Sequence, residues 1–284
     1  MRTRTTKSGV AFFVALLAVV AGVIFVVMRG GADVPELPGC TADVAGRTVS
    51  LEPDQASNAT LIAAIGVRRG LPARAVSIAL ATAYQESKIR NLPYGDRDSL
   101  GLFQQRPSQG WGSIAQISNE YYAINKFYDE LEKVDGYQTM PITRAAQRVQ
   151  RSGYPEAYAV HAPDARALAS SITGFSPGGT FSCVVPEPKR HGTAAKATAL
   201  LTKAYGALDT ARTGARQDFS VTVPTGIEGE RTGWSVAAYL LAHAGQLGID
   251  SVSFDGLTWH SGRDSEKGWV RGNASAAHLT VSLA

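Results

Sequence analysis

Apolar and polar positions alternate in blocks along this chain, and each block predicts an element. Val10 to Met28 (VAFFVALLAVVAGVIFVVM) is 19 residues without a charge. That is enough for roughly 28 Å of helix, about the thickness of a hydrocarbon core. Arg29 to Pro38 carries Gly, Pro and acidic residues and reads as a tether. Arg47-Thr48-Val49-Ser50-Leu51 alternates weakly, as a short strand does. Pro53 then opens a helix with Leu61, Ile62, Ile65 and Val67, stopped by Gly70. Pro72 starts a second helix at once; its Val76, Ile78, Leu80, Ala83 and Tyr84 make a wide apolar surface, and it ends near Glu86 to Ile89. A polar loop, Asn91 to Ser99, follows. Ser118 to Val134, Thr143 to Arg151 and Asp164 to Ser171 have helical spacing, and Ser176-Pro177-Gly178-Gly179 closes the region.

Val185 to Thr193 has the prolines and charges of a linker, and Ala194 to Leu208 predicts a spacer helix. Strand-like alternation returns at Phe219 to Val223, Ile249 to Phe254, Leu257 to Trp259 and His278 to Leu283, with a helix at Trp234 to Leu247 ended by Gly248. The expected architecture is α+β. It comprises a tail (1–9), an apolar span (10–28), a tether (29–39), a mainly helical domain with a small hairpin (40–184), a linker with spacer helix (185–216) and a small α+β module (217–284).

Charge orients the span. Arg2, Arg4 and Lys7 precede it and Arg29 follows. The positive-inside rule then predicts a single pass through the cell membrane, with a cytoplasmic N-terminus and everything after Met28 outside. A cleaved signal peptide is the rival, although Gly30-Gly31-Ala32 makes a poor cleavage site. The formal charge of +4 is diffuse, and no Lys/Arg-dense stretch is interleaved with aromatics, which excludes nucleic acid as partner. One span cannot line a transport path. The two cysteines, Cys40 and Cys183, would pair in an oxidising compartment; the other reading is two buried thiols.

Three other chemistries find little support. His243, His260 and His278 match no zinc spacing, so no metal is expected, and no cofactor motif is present. A Ser-His-Asp hydrolase would need a nucleophile elbow, which is absent. Trp234, Trp259 and Trp269 would serve either a core or a sugar-stacking face.

Glu86 is the candidate for chemistry. Protonating a poor leaving group near neutral pH needs a carboxyl whose pKa is raised by its surroundings. Glu86 follows Ala79, Thr82 and Ala83 on a buried helix, and the helix C-terminus adds partial negative charge. Ser87, Asp96, Ser99, Gly101 and Gln104 follow in order: Glu86-Ser87, Gly95-Asp96, Ser99, then Gly101-Leu102-Phe103-Gln104. This ordered set resembles goose-type lysozymes and soluble lytic transglycosylases of the lysozyme-like superfamily over roughly residues 58–173, with Phe103 where Met is usual.

The resemblance implies a peptidoglycan glycosidase that cleaves the MurNAc–GlcNAc bond, and the span would anchor it in the membrane. Glu86 is then its acid, Ser87 and Gln104 orient, and Asp96 stands as the first accessory aspartate. Two departures accompany it. Arg106 holds the position of the second aspartate, and Ala145-Ala146-Gln147 replaces an Ala-Tyr-Asn motif whose Tyr contacts the acid, leaving Tyr154 or Tyr158 as substitutes. The alternative is a non-catalytic wall-binding or scaffolding protein that keeps a degenerate cleft. The C-terminal module is similar to those beside lysozyme-like domains in bacterial wall proteins, which implies adhesion to the wall or a protein partner.

Overall fold

Two positive-φ residues, Ala45 and Gly46, turn the chain between its first strands, Gly39–Val44 (β1) and Arg47–Leu51 (β2). A two-residue loop of this kind matches the twist of a hairpin. The computed structural model describes residues 16–17 and 37–284 except 153, 155, 215 and 216. The tail 1–9, the span 10–28 and most of the tether therefore lie outside the described residues, apart from helical Leu16 and Leu17 and from Leu37 to Gly39. No helix among the described residues is long and apolar enough to cross a membrane.

The helix Pro53–Arg68 (α1) starts with Pro at its first position and a reciprocal cap between Glu52 and Gln55. The next helix, Ala73–Ser87 (α2), is buried over most of its length. Four more helices follow: Ile114–Ile117 (α3), Glu120–Glu132 (α4), Ile142–Gln150 (α5) and Ala162–Ile172 (α6). α2 packs against α1, α4, α5 and α6, so its small residues Ala75, Ala79 and Ala83 sit at zero exposure in the centre. Phe181–Val184 (β3) then returns to pair with β1, giving sheet order β2-β1-β3. Its register sets Cys183 directly opposite Cys40, and the two form a disulfide.

The remaining chain builds a second sheet. Ala194–Tyr205 (α7) leads into Asp209–Arg212 (β4) and Phe219–Thr222 (β5). Ile227–Ala242 (α8) and the short Ala244–Leu247 (α9) precede Ile249–Phe254 (β6), Leu257–His260 (β7), Val270–Arg271 (β8) and His278–Leu283 (β9). The sheet is antiparallel in the order β4-β5-β9-β6-β7-β8, with α8 against β6 and β9. The fold is α+β, as expected.

Pro38–Ala284 form one compact unit. Trp234 and Trp259 belong to its core, and Trp269 packs against it. Trp259 is fully buried and donates to Cys183 O at 2.9 Å, Trp269 donates to Phe181 O at 2.8 Å, and Trp234 packs edge-on against Phe254 and Trp269.

Several expectations need correction. β1 and β3 lie where no strand was expected, because four to six residues with one buried pair each give too short an alternation to notice. The helix expected at 234–247 begins at Ile227 and breaks at His243. Its glycines hide the early turns, and Gly233 is needed there, since a Cβ would lie 2.1 Å from the Phe254 ring. The spacer helix ends at Tyr205, after which β4 joins the sheet.

Candidate functional site

α2 ends in a sharp reversal. Lys88 and Ile89 both adopt positive φ, 57° and 59°, and Ile89 N bonds Ala83 O six residues back at 3.0 Å. A β-branched residue in this conformation is strained and persists only where its surroundings hold it. Two polar side chains of α1 do so: Gln55 donates to Lys88 O at 2.8 Å and Asn58 to Ile89 O at 2.9 Å. The reversal leaves Glu86 at the helix end and sends the chain back across it.

The returning segment makes a tight turn. Leu100 and Gln105 exchange both backbone hydrogen bonds, at 3.1 and 3.0 Å, around Gly101-Leu102-Phe103-Gln104. Gly101 has φ 82° and faces Ile117 O, which an added Cβ would meet at 2.9 Å. Leu102 and Phe103 are fully buried, Phe103 stacking on Phe127 at 4.4 Å. Ser87 is buried under this turn, its Oγ 2.7 Å from Leu102 O. It thus holds helix to turn and does not line the open space.

Beside the turn lies a cavity of about 340 Å³. Glu86, Asp96, Ser99 and Gln104 all line it, joined by Gln150 and Arg151. Ser99 Oγ donates to Gln104 Oε1 at 3.0 Å, and Gln104 Nε2 reaches the carbonyls of Tyr94 and Gly101 at 3.2 Å. Asp96 is at the rim, its side chain 92% exposed. A second cavity of about 380 Å³ shares Gln109, Trp111, Gln150 and Arg151 with the first, so the two read as one groove.

Within the groove Glu86 is half-buried and receives two hydrogen bonds on one oxygen. Tyr158 donates to Oε1 at 2.7 Å and Gln150 Nε2 to the same atom at 3.2 Å. Among the described residues Oε2 has no such donor. Burial pushes the carboxyl pKa above its ordinary value, and the bonds from Tyr158 and Gln150 pull part of the way back. Gln150 also donates to Phe103 O at 2.7 Å, tying α5, the turn and the acid together. Tyr158 is buried, while Tyr154 is 79% exposed, so the first of the two tyrosines meets the acid. The Tyr158 phenol is itself raised by burial and by Glu86. His161, hydrogen-bonded to Gln85 at 2.8 Å, fixes the 3-10 turn Ala159–His161 that follows Tyr158.

Arg106, where a second aspartate was sought, is paired with Asp98 at 2.6 Å. The Ser108 hydroxyl and backbone N–H, with Arg106, hold the Asp98 carboxyl well below the usual range. Gln150 was missed in the sequence. Its one signal is position: it follows buried Ala146 and Val149 on α5 and so borders the core. Among the described residues no group of three or more His, Cys, Asp or Glu is placed to hold a metal ion. No protein-family model and no curated protein matches this chain.

Proposed function

We propose that the protein cleaves the MurNAc–GlcNAc bond of peptidoglycan, with Glu86 as the single group that gives and takes the proton. One observation carries the reading. Glu86 is a half-buried carboxyl with a raised pKa, in a groove, with both protein donors on Oε1. The carboxylic acid proton then resides on Oε2, free to be given to a bridging oxygen.

In the first step Oε2–H protonates the glycosidic oxygen as the bond to the anomeric carbon breaks. The resulting Glu86 carboxylate is stabilised by Tyr158 and Gln150. In the second, Glu86 removes a proton from the sugar's own 6-hydroxyl, which closes on the anomeric carbon and leaves a 1,6-anhydro end. Inversion by water would need a second carboxylate as base. The lining offers Asp96, which is exposed, while Asp98 is engaged by Ser108 and Arg106. The ring-closing route is therefore favoured over hydrolysis.

The rest of the reading is an anchor at residues 10–28, a cytoplasmic N-terminus and an extracytoplasmic bulk, to which the Cys40–Cys183 disulfide is suited. Residues 217–284 would meet the wall or a protein partner. A non-catalytic wall-binding protein is the second reading, favoured by Arg106 in place of an acid. Digestion of purified peptidoglycan by the parent chain and by Glu86→Gln separates the two: only the parent is expected to release soluble fragments, each lacking one water at its end by mass spectrometry. Equal release by both removes the enzyme. Signal from a cytoplasm-only reporter fused after Ala284 removes the topology.

A further inference from the structure

Two loops border the Glu86 groove, and each brings an arginine to it. The first carries Asp96-Arg97 and the second Arg151-Ser152. Arg97 and Arg151 line the groove together with Glu86. Both arginines have positive φ, 56° and 52°, a backbone state that non-glycine residues keep at functional sites more than elsewhere.

These two guanidinium groups differ from the cations around them. Arg106 is held by Asp98 at 2.6 Å and Lys126 by Glu130 at 3.1 Å. Arg97 meets Asp96 only at 3.8 Å, with both side chains mostly in solvent, and Arg151 has no ion pair among the described residues. The groove thus offers two guanidinium forks that no close ion pair occupies among the described residues.

We infer that the two loops select glycan strands bearing carboxylates, on lactyl ethers and stem peptides, over neutral strands of the same backbone. A guanidinium takes a carboxylate through two parallel hydrogen bonds. The inference rests on the glycan-cleaving reading of the groove and adds the feature by which substrate is chosen.

The test is equilibrium binding to the full-length chain in mild detergent, carrying Glu86→Gln to prevent turnover. Three ligands of matched length are compared: peptide-bearing strands freed of other anionic wall polymers, strands whose stems an amidase has removed, and neutral GlcNAc oligomers. Peptide-bearing strands are expected to bind roughly tenfold tighter than neutral oligomers, two exposed charge pairs each giving about threefold. Stripped strands, which keep the lactyl carboxylate, fall between if that group is read, and match the neutral oligomers if the stem is. In Arg97→Gln/Arg151→Gln the preference collapses to within about twofold. Equal binding of all three ligands, or a preference that survives in the double variant, overturns the inference and leaves the cleavage reading standing. Binding of none of them overturns both.

Discussion

Replacing Tyr158 by Phe removes one oxygen from a residue that is 1% exposed, and that oxygen lies 2.7 Å from Glu86 Oε1. A hydrogen bond to a neutral acceptor contributes about 0.5–1.5 kcal/mol to stability, and one to a charged acceptor about 1.5–3 kcal/mol. The loss therefore depends on whether Glu86 is ionised: about 1 kcal/mol in acid and about 2 kcal/mol in alkali. For a unit of this size, urea acts with a slope of about 3 kcal/mol per molar, so the midpoint falls by about 0.3 M in acid and about 0.7 M in alkali.

The sign follows from linkage. Burial raises the Glu86 pKa in the folded state. The parent therefore holds its full stability below the unfolded carboxyl value of about 4.3 and loses part of it as pH rises through the raised one. The Tyr158 donor favours the carboxylate, so the variant loses more over the same window. Urea titration of residues 38–284 by tryptophan fluorescence, on either side of that window, measures both deficits. The same pair made in a Glu86→Gln background has no titrating acceptor, and its deficit should stay flat with pH. A deficit that is equal at both pH values in the parent background would falsify the pairing of a titrating acid with this hydroxyl.

Three further outcomes can be checked together. Cys40→Ser/Cys183→Ser opens a closure of 143 residues; loop entropy sets the cost at about 5 kcal/mol, read as the fall in urea midpoint against the parent. Gly95→Ala places a Cβ 1.8 Å from Gln104 Oε1 and 2.3 Å from Ser99 Oγ. Its stability change should stay under about 1.5 kcal/mol, while release of soluble glycan falls about 100-fold because the displaced amide sits in the groove. Glu86→Gln removes a buried charge, so the variant should be more stable than the parent at alkaline pH, with the gap closing as pH falls from the raised folded pKa to the ordinary carboxyl value.

What the sequence disclosed follows from range. α1 and α2 repeat their apolar positions for four turns, and β9 alternates over six residues, so local pattern sufficed. Glu86 and the Gly101–Gln104 turn were legible for a related reason: a helix end, a loop and a glycine corner are contiguous. Gln150 and Tyr158 were harder. Each reaches Glu86 from more than sixty positions away, and beyond its place beside the core nothing near Gln150 distinguishes it from the other polar residues of its own helix. β1 and β3 were missed because each is short, and their partnership spans the whole helical region. That Arg97 and Arg151 line one groove with Glu86 is visible only in the fold, since they lie far apart in the chain.

The second sheet lies outside the groove, yet it bears on Glu86 through α1. One part of α1 faces α8, where Ser57 Oγ donates to Ala242 O at 3.1 Å. Neighbouring Gln55 and Asn58 hold the two strained carbonyls that end α2. Bracing α1 from the C-terminal side therefore keeps the reversal after Glu86 in place. β3 is tied to the same side by Trp259 and Trp269. A chain cut after Val184 loses these supports even with its disulfide intact. We expect fragment 38–184 to bind a hydrophobic dye, and the amides of Lys88 to Arg90 to exchange with solvent far faster than in 38–284. If that fragment is a monomer with the parent's near-ultraviolet dichroism and protected amides at the turn, the bracing is refuted, and the helical region holds Glu86 by itself.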